Sequence, residues 1–139
     1  MTFRRLRTDE EIRSAFPLMA ALRDRIRAET FLDEVRRQEH SGYELVGGFD
    51  KGRLVTLAGV RRAHTLSRGE HLFVDDLVTD ESVRGKGYGR QTIQWLSARA
   101  RAEGLRAIYL DSRATARGFY EKLGFTFHTS IPSWLRLED

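Results

Sequence analysis

The chain has 139 residues, with 24 lysines and arginines against 20 aspartates and glutamates, a net charge of +4 and no cysteine. The length suits one domain over 1–139, large enough to bury one sizeable core. Without cysteine there is no disulfide framework, zinc–thiolate site or cysteine nucleophile, and no metal is called for. The start, Met1-Thr2-Phe3-Arg4-Arg5, leads into charged residues rather than an apolar h-region, and no stretch has the length to span a bilayer. A cytoplasmic protein without a membrane partner is therefore expected. The positive charge does not predict nucleic-acid binding. Acidic residues interleave with the basic ones, as in Arg23-Asp24-Arg25 and Glu34-Val35-Arg36-Arg37, and no long single-sign block forms.

In chain order the pattern is mixed α/β. Phe3–Arg7 alternates weakly and predicts a first strand. Thr8-Asp9-Glu10-Glu11 predicts a helix start, with Thr8 as cap and Glu11 three residues on. Ile12, Ala15, Phe16, Met19, Leu22 and Ile26 follow helical spacing, and Pro17 is expected to kink or divide that element. Thr30 with Asp33 predicts a further helix to about Glu39, stopped by Gly42. Tyr43–Phe49 and Arg53–Ala63 predict two strands joined by the turn Asp50-Lys51-Gly52. Leu72–Thr79 predicts a third strand linked to them, and Gln91–Arg101 a long helix. Ala107–Asp111 predicts a parallel strand, Thr115–Leu123 a short helix, and Phe125–Ser130 with Trp134–Leu137 two closing strands.

The run Arg84-Gly85-Lys86-Gly87-Tyr88-Gly89-Arg90 packs three glycines and three cations between a strand and a helix start. Glycines allow a tight turn and close backbone approach, and the first amides of a helix lack partners and carry the positive end of its dipole. Such a loop suits a phosphate or pyrophosphate. The spacing fits neither a P-loop, which needs Gly-Lys-Ser/Thr, nor the Gly-x-Gly-x-x-Gly dinucleotide fingerprint. Arg84-x-x-Gly87-x-Gly89 instead resembles the pyrophosphate loop of the GNAT superfamily of acyl-CoA-dependent N-acyltransferases. A second segment, Ala116-Arg117-Gly118-Phe119-Tyr120-Glu121-Lys122-Leu123-Gly124-Phe125, resembles the same superfamily's late A-x-x-F-Y-x-x-x-G-F signature. It stands beyond a helix and a strand, where that family has it, and the resemblance covers about 72–127.

The resemblance implies a GNAT-like fold: a mixed α/β sheet whose strands 72–79 and 107–111 run parallel and then splay. The pantetheine arm of acetyl-CoA, the co-substrate, would fill the gap against the backbone of Leu77, Val78 and Thr79. An amide there, assigned to Val78, would polarise the thioester carbonyl and stabilise its oxyanion. Gly85, Lys86, Gly87, Tyr88 and Gly89 would hold the pyrophosphate through backbone amides. Arg84 fills the family's Arg/Gln position, and Lys86 and Arg90 would add charge or lie in solvent. Tyr120 would give its proton to the departing thiolate, or else pack as a core aromatic. An asparagine common after the fifth strand is missing, and Ser112 or Asp111 would replace it.

Asp75 and Asp76 stand together in a strand, where aspartate is disfavoured. One of them, or His71 or His64, would accept the proton of the attacking ammonium. Alternatively these carboxylates pair with arginines. Only one aspartate should face the cleft unless a bulge intervenes. The expected activity is acetyl transfer to a primary amine, small-molecule or peptide, by direct attack in a ternary complex. About Arg23–Phe31 would wall the acceptor side. The alternative is a non-catalytic acyl-CoA-binding regulatory module. A homodimer is compatible with either.

Overall fold

The computed structural model describes residues 1–138. One five-stranded sheet runs in the order β1 (Thr2–Arg5), β2 (Tyr43–Asp50), β3 (Arg53–Thr65), β4 (Gly69–Thr79) and β5 (Ala107–Leu110). Neighbours are antiparallel except β4 and β5, which are parallel. Three helices, α1 (Asp9–Ser14), α2 (Phe16–Leu22) and α3 (Ala28–Glu39), follow β1, α4 (Tyr88–Ala102) links β4 to β5, and α5 (Arg117–Lys122) follows β5. The antiparallel hairpins need only tight turns, whereas the parallel pair needs the helical crossover that α4 supplies.

Alternation along the strands feeds two cores. Leu45, Leu57 and Val78 point with Tyr43 toward Ile12, Met19, Phe31 and Val35 of α1–α3. Their neighbours Val46, Ala58 and Leu77 point the other way, toward Ile93, Leu96 and Ala100 of α4 and Tyr120 of α5. Period 2 in strands sends adjacent residues to opposite faces, so one sheet serves both helical layers. A buried polar seam joins the sheet to α4: the Thr56 hydroxyl meets Thr92 Oγ1 at 3.1 Å and the Val78 carbonyl at 3.1 Å.

Local rules account for the element ends. Thr8 and Glu11 form the reciprocal capping box, each side chain 3.1 Å from the other's backbone amide. The predicted helix divides at Ala15, and Pro17 falls in the first turn of α2, where its missing N–H costs nothing. The helix expected from Thr30 starts earlier, at Ala28, without a side-chain cap. The long helix likewise starts at Tyr88, so the end of the glycine run is already helical.

The two closing strands are not formed. The Phe125 amide turns back to the Tyr120 carbonyl at 3.1 Å, closing the end of α5 over Gly124, whose φ is +93°. Phe125 and Phe127 then fold onto the α4–α5 core, while Ile131, Trp134, Leu135 and Leu137 are exposed. Pro132 lacks the donor a ladder needs, and period-2 apolarity by itself chooses no partner edge.

Candidate active site

The site is built where β4 and β5 part. They pair only from His71–Ala107 to Val74–Leu110, so β4 continues from Asp75 to Thr79 with no strand on that side. Its other side stays paired to β3, through Gly59–Asp76, Ala58–Leu77, Leu57–Val78 and Thr56–Thr79. The Asp80 amide donates to the Val55 carbonyl at 2.8 Å. In an antiparallel ladder alternate residues face the partner strand. Val78, two residues before Asp80, therefore turns its amide to β3, and Leu77 and Thr79 turn theirs into the gap. This corrects the expected assignment of the oxyanion donor to Val78: strand parity excludes it.

The glycine loop closes the far end of the gap. A short 3₁₀ turn, Glu81–Val83, leads into it, pinned by Asp80, whose carboxylate accepts from the Ser82 amide at 2.9 Å and from Arg53 at 2.9 Å. Gly85 and Gly87 take φ of +85° and +83°. Those left-handed conformations turn successive amides toward one concave face, a nest for an anion. No atom lies within 4 Å of a Cβ built at either glycine, so the face is open. Gly87 caps α4, and its carbonyl accepts from Gln91 at 3.0 Å, leaving the first amides of the helix unpaired within it. Arg84, Lys86 and Arg90 are exposed, and none has a carboxylate partner among the described residues. Tyr88 instead points its phenol to Asp50 at 2.5 Å; that hydrogen bond, with burial and the carboxylate's charge, raises its pKa. Its backbone faces the loop and its side chain anchors the loop to the β2–β3 turn. The loop thus has the amides, the open face and the positive charge that a diphosphate requires.

Tyr120 comes to the same gap from α5. It is buried, edge-on to Phe119 at 5.0 Å and to Phe125 at 5.3 Å, in the core that includes Leu77. Burial pushes its phenol above the usual pKa, so the proton stays on at neutral pH. Its hydroxyl has no hydrogen-bond partner among the described residues. Gly89 is the meeting point: a Cβ built there would stand 3.2 Å from Phe119 Cζ and 3.7 Å from Thr79 Oγ1. Ser112, beyond β5, donates its hydroxyl to the Arg113 carbonyl at 2.8 Å and lines, together with Tyr120, a cavity along β5 and the C-terminal segment.

A bulge decides the two aspartates. Gly59 pairs with Asp76 and Val60 with Val74, so Asp75 is the extra residue on β4. Both carboxylates therefore line one cavity with residues of α2 and α3. Asp75 is held bidentately by Arg61, at 2.6 and 2.8 Å. Asp76 Oδ2 accepts the Tyr43 hydroxyl at 2.6 Å, and Oδ1 accepts Arg23 Nε at 3.0 Å. Burial, then the charge of Asp76, raises the pKa of Tyr43. Gly59 makes this possible, because a Cβ there would overlap both the Tyr43 hydroxyl and Asp76 Oδ2. The histidines do not join this group. His71 sits at the start of β4, paired on both sides, with Nδ1 2.8 Å from the Gly69 carbonyl, and exposed His64 lies beside Glu70 at 3.4 Å. Tyr43, Arg23 and Arg61 were not singled out by sequence. Arg23 lay inside the expected acceptor wall, but no local signal marks Tyr43.

An open parallel-strand gap, a glycine loop with two left-handed turns at its end and a buried phenol beside it are thus brought together in one region. The chain matches the model of the acetyltransferase (GNAT) family over residues 6–125 and belongs to that family. It is an acyl-CoA-dependent acetyltransferase of that family. It is similar to the uncharacterized N-acetyltransferase YhdJ of Bacillus subtilis (strain 168), with 32% identity over 133 residues, 92% of this chain and 94% of that one. It also resembles the glucosamine 6-phosphate N-acetyltransferase of Trypanosoma brucei brucei, 37% identical over 79 residues, about half of either chain (55% and 54%). Among solved structures, a Trypanosoma brucei acetyltransferase superposes with a TM-score of 0.77 at 26% identity, covering 99% of this chain and 98% of that one. The aminoglycoside N-acetyltransferase AAC(6')-Iy in complex with CoA shares the fold, with a TM-score of 0.82 at 14% identity over 98% and 94% of the two chains. Among the described residues no group of histidines and carboxylates is placed to hold a metal, and no helix is long and apolar enough to cross a membrane.

Proposed function

We propose that the chain transfers the acetyl group of acetyl-CoA to a primary amine by direct attack in a ternary complex. The observation that carries this reading is the convergence at Gly89 of the open β4 end, the nest and the Tyr120 helix. Acetyl-CoA, when bound, supplies an activated acetyl thioester. The amides of 85–89 would hold its diphosphate, with Arg84 adding a charge-assisted bond and Lys86 and Arg90 adding field. The backbone of Leu77 and Thr79, turned to the gap with the Thr79 carbonyl accepting from Arg84 Nε at 3.4 Å, would line up its arm, and one of those two amides would donate to the carbonyl oxygen as charge builds there.

Asp76, or Asp75 through water, would take the proton of the incoming ammonium. Tyr120 would offer its proton to the departing sulfur. A thiol ordinarily has a pKa of about 8.5, below that of a phenol. Full transfer to a free thiolate is therefore uphill, and the gain lies in the hydrogen bond donated while the sulfur becomes negative. Ser112 is a weaker contact in this reading, since its hydroxyl is already bonded locally.

Tyr120→Phe tests the reading. It keeps the ring packing with Phe119 and Phe125 and removes only the donor. Coenzyme A affinity and melting temperature should stay near the parent's, while the single-turnover rate with a good amine falls by about 10- to 10⁴-fold. An unchanged single-turnover rate would return Tyr120 to a packing role. Coenzyme A binding without amine-dependent thiol release in the parent protein would favour a regulatory module instead.

A further inference from the structure

We infer that the acceptor is a compact primary amine on an apolar body, without an anionic group, and that Arg23 occupies its ammonium position until it binds. The inference rests on the acetyl-transfer reading above and narrows its acceptor. A cavity of about 320 Å³ opens where β4 leaves β5, between α2, α3, β2 and β4. Met19, Ile26, Phe31 and Val35 form the apolar part of its wall, Glu34 and Gln38 of α3 the polar part, and its floor is Tyr43 with the two aspartates. That size is at the low end for small-molecule sites, room for one ring or a short alkyl chain.

The polar end of the cavity is made for a cation. Arg23 Nη2 donates to the Asp75 backbone carbonyl at 2.7 Å and lies 2.9 Å from Asp76 Oδ1. Those two oxygens are acceptors only, set side by side by the bulge, and an ammonium carries donors enough for both. The second oxygen of Asp76 is already satisfied by the Tyr43 hydroxyl, which fixes the carboxylate's direction. Tyr43 is thus a positioning residue, and Gly59 gives it the space.

Arg23 makes these contacts from the solvent side. It ends α2, begins the short connection to α3, and its side chain is 44% exposed against 13% for Asp76. An exposed guanidinium paired with one carboxylate contributes little and can swing into water when an ammonium replaces it. An anionic acceptor has no such welcome. Arg61 is committed to Asp75, displaced Arg23 turns to water, and Glu34 on the wall has no cation partner among the described residues. A sugar phosphate, the substrate named for the trypanosome relative, therefore finds repulsion here.

Calorimetric titration of the whole chain with phenethylamine, phenylalanine and glucosamine 6-phosphate, without and with coenzyme A, tests this. Phenethylamine should bind, and the two anionic compounds should bind at least about tenfold more weakly. Arg23→Ala should tighten phenethylamine by about two- to fivefold, the weight of one exposed ion pair. Asp76→Asn should weaken it by about 30-fold or more. Weaker phenethylamine binding in Arg23→Ala, preference for either anionic compound, or no phenethylamine binding overturns the inference. The loss of a coenzyme A effect on melting would overturn the acetyl-transfer reading separately, because amine titration needs neither donor nor turnover.

Discussion

Gly59→Ala probes the architecture beneath the aspartates with a single methyl group. The backbone of Gly59 tolerates a side chain, since its φ is not positive, so the effect is one of space. The new methyl would overlap the Tyr43 hydroxyl and Asp76 Oδ2. Tyr43 is 2% exposed and packed in the α1–α3 core, so it has no free direction in which to move. Overpacking of this kind costs about 1–3 kcal/mol. Loss of the hydrogen bond to a charged partner adds about 1.5–3 kcal/mol, and removing a strand glycine returns about 0.5–1 kcal/mol. The net loss is about 2–5 kcal/mol, or about 7–17 °C in Tm for a chain of this size. Thermal unfolding followed by circular dichroism at pH 7 measures it. Adding Tyr43→Phe removes one of the clashing atoms, so the double variant should show coupling of about 1 kcal/mol or more. A Tm drop below about 3 °C, with additive effects in the double variant, would refute the packing argument.

Gly87→Val places a β-branched residue at φ +83° and covers the nest; the chain should stay folded but lose the rise in Tm that coenzyme A produces, and normal coenzyme A binding would sink the loop assignment. Lys86→Ala should weaken coenzyme A only a few-fold and Arg84→Ala more, since backbone amides carry the diphosphate; loss of all binding in Lys86→Ala, read by calorimetry, would show that one side-chain charge dominates. The raised pKa of Tyr43 sets a pH dependence. Unfolded, the phenol releases its proton near pH 10, while the folded chain holds it, so this stability is complete below pH 10 and is lost as pH rises above it. Melting temperatures from pH 8 to 11.5 should fall less steeply in Tyr43→Phe, by about 1.4 kcal/mol of stability per pH unit, and identical slopes would contradict the assignment.

What the sequence determined by itself is local. Thr8 and Glu11 are three residues apart, so their capping box is legible in four letters. The glycine run permits the left-handed turns that Gly85 and Gly87 take and other residues avoid, and with a helix following, the loop's open backbone is legible without tertiary knowledge. The Phe119-Tyr120 signature likewise marks its helix and its neighbour Phe125. The tertiary structure decided everything that depends on register. One extra residue at Asp75 puts two adjacent carboxylates on a single face, and the alternation that follows it turns Val78 to β3 and Leu77 with Thr79 to the gap. A slip of one residue would reverse each of these choices, and no pattern within 72–79 signals it. The Asp76 cluster joins Arg23, Tyr43 and Gly59, residues from α2, β2 and β3 that are distant in the chain. The closing strands failed for the same reason. Alternation in 125–137 states which side chains are apolar, but the edge they meet is set by the turn after α5 and by Pro132, in three dimensions.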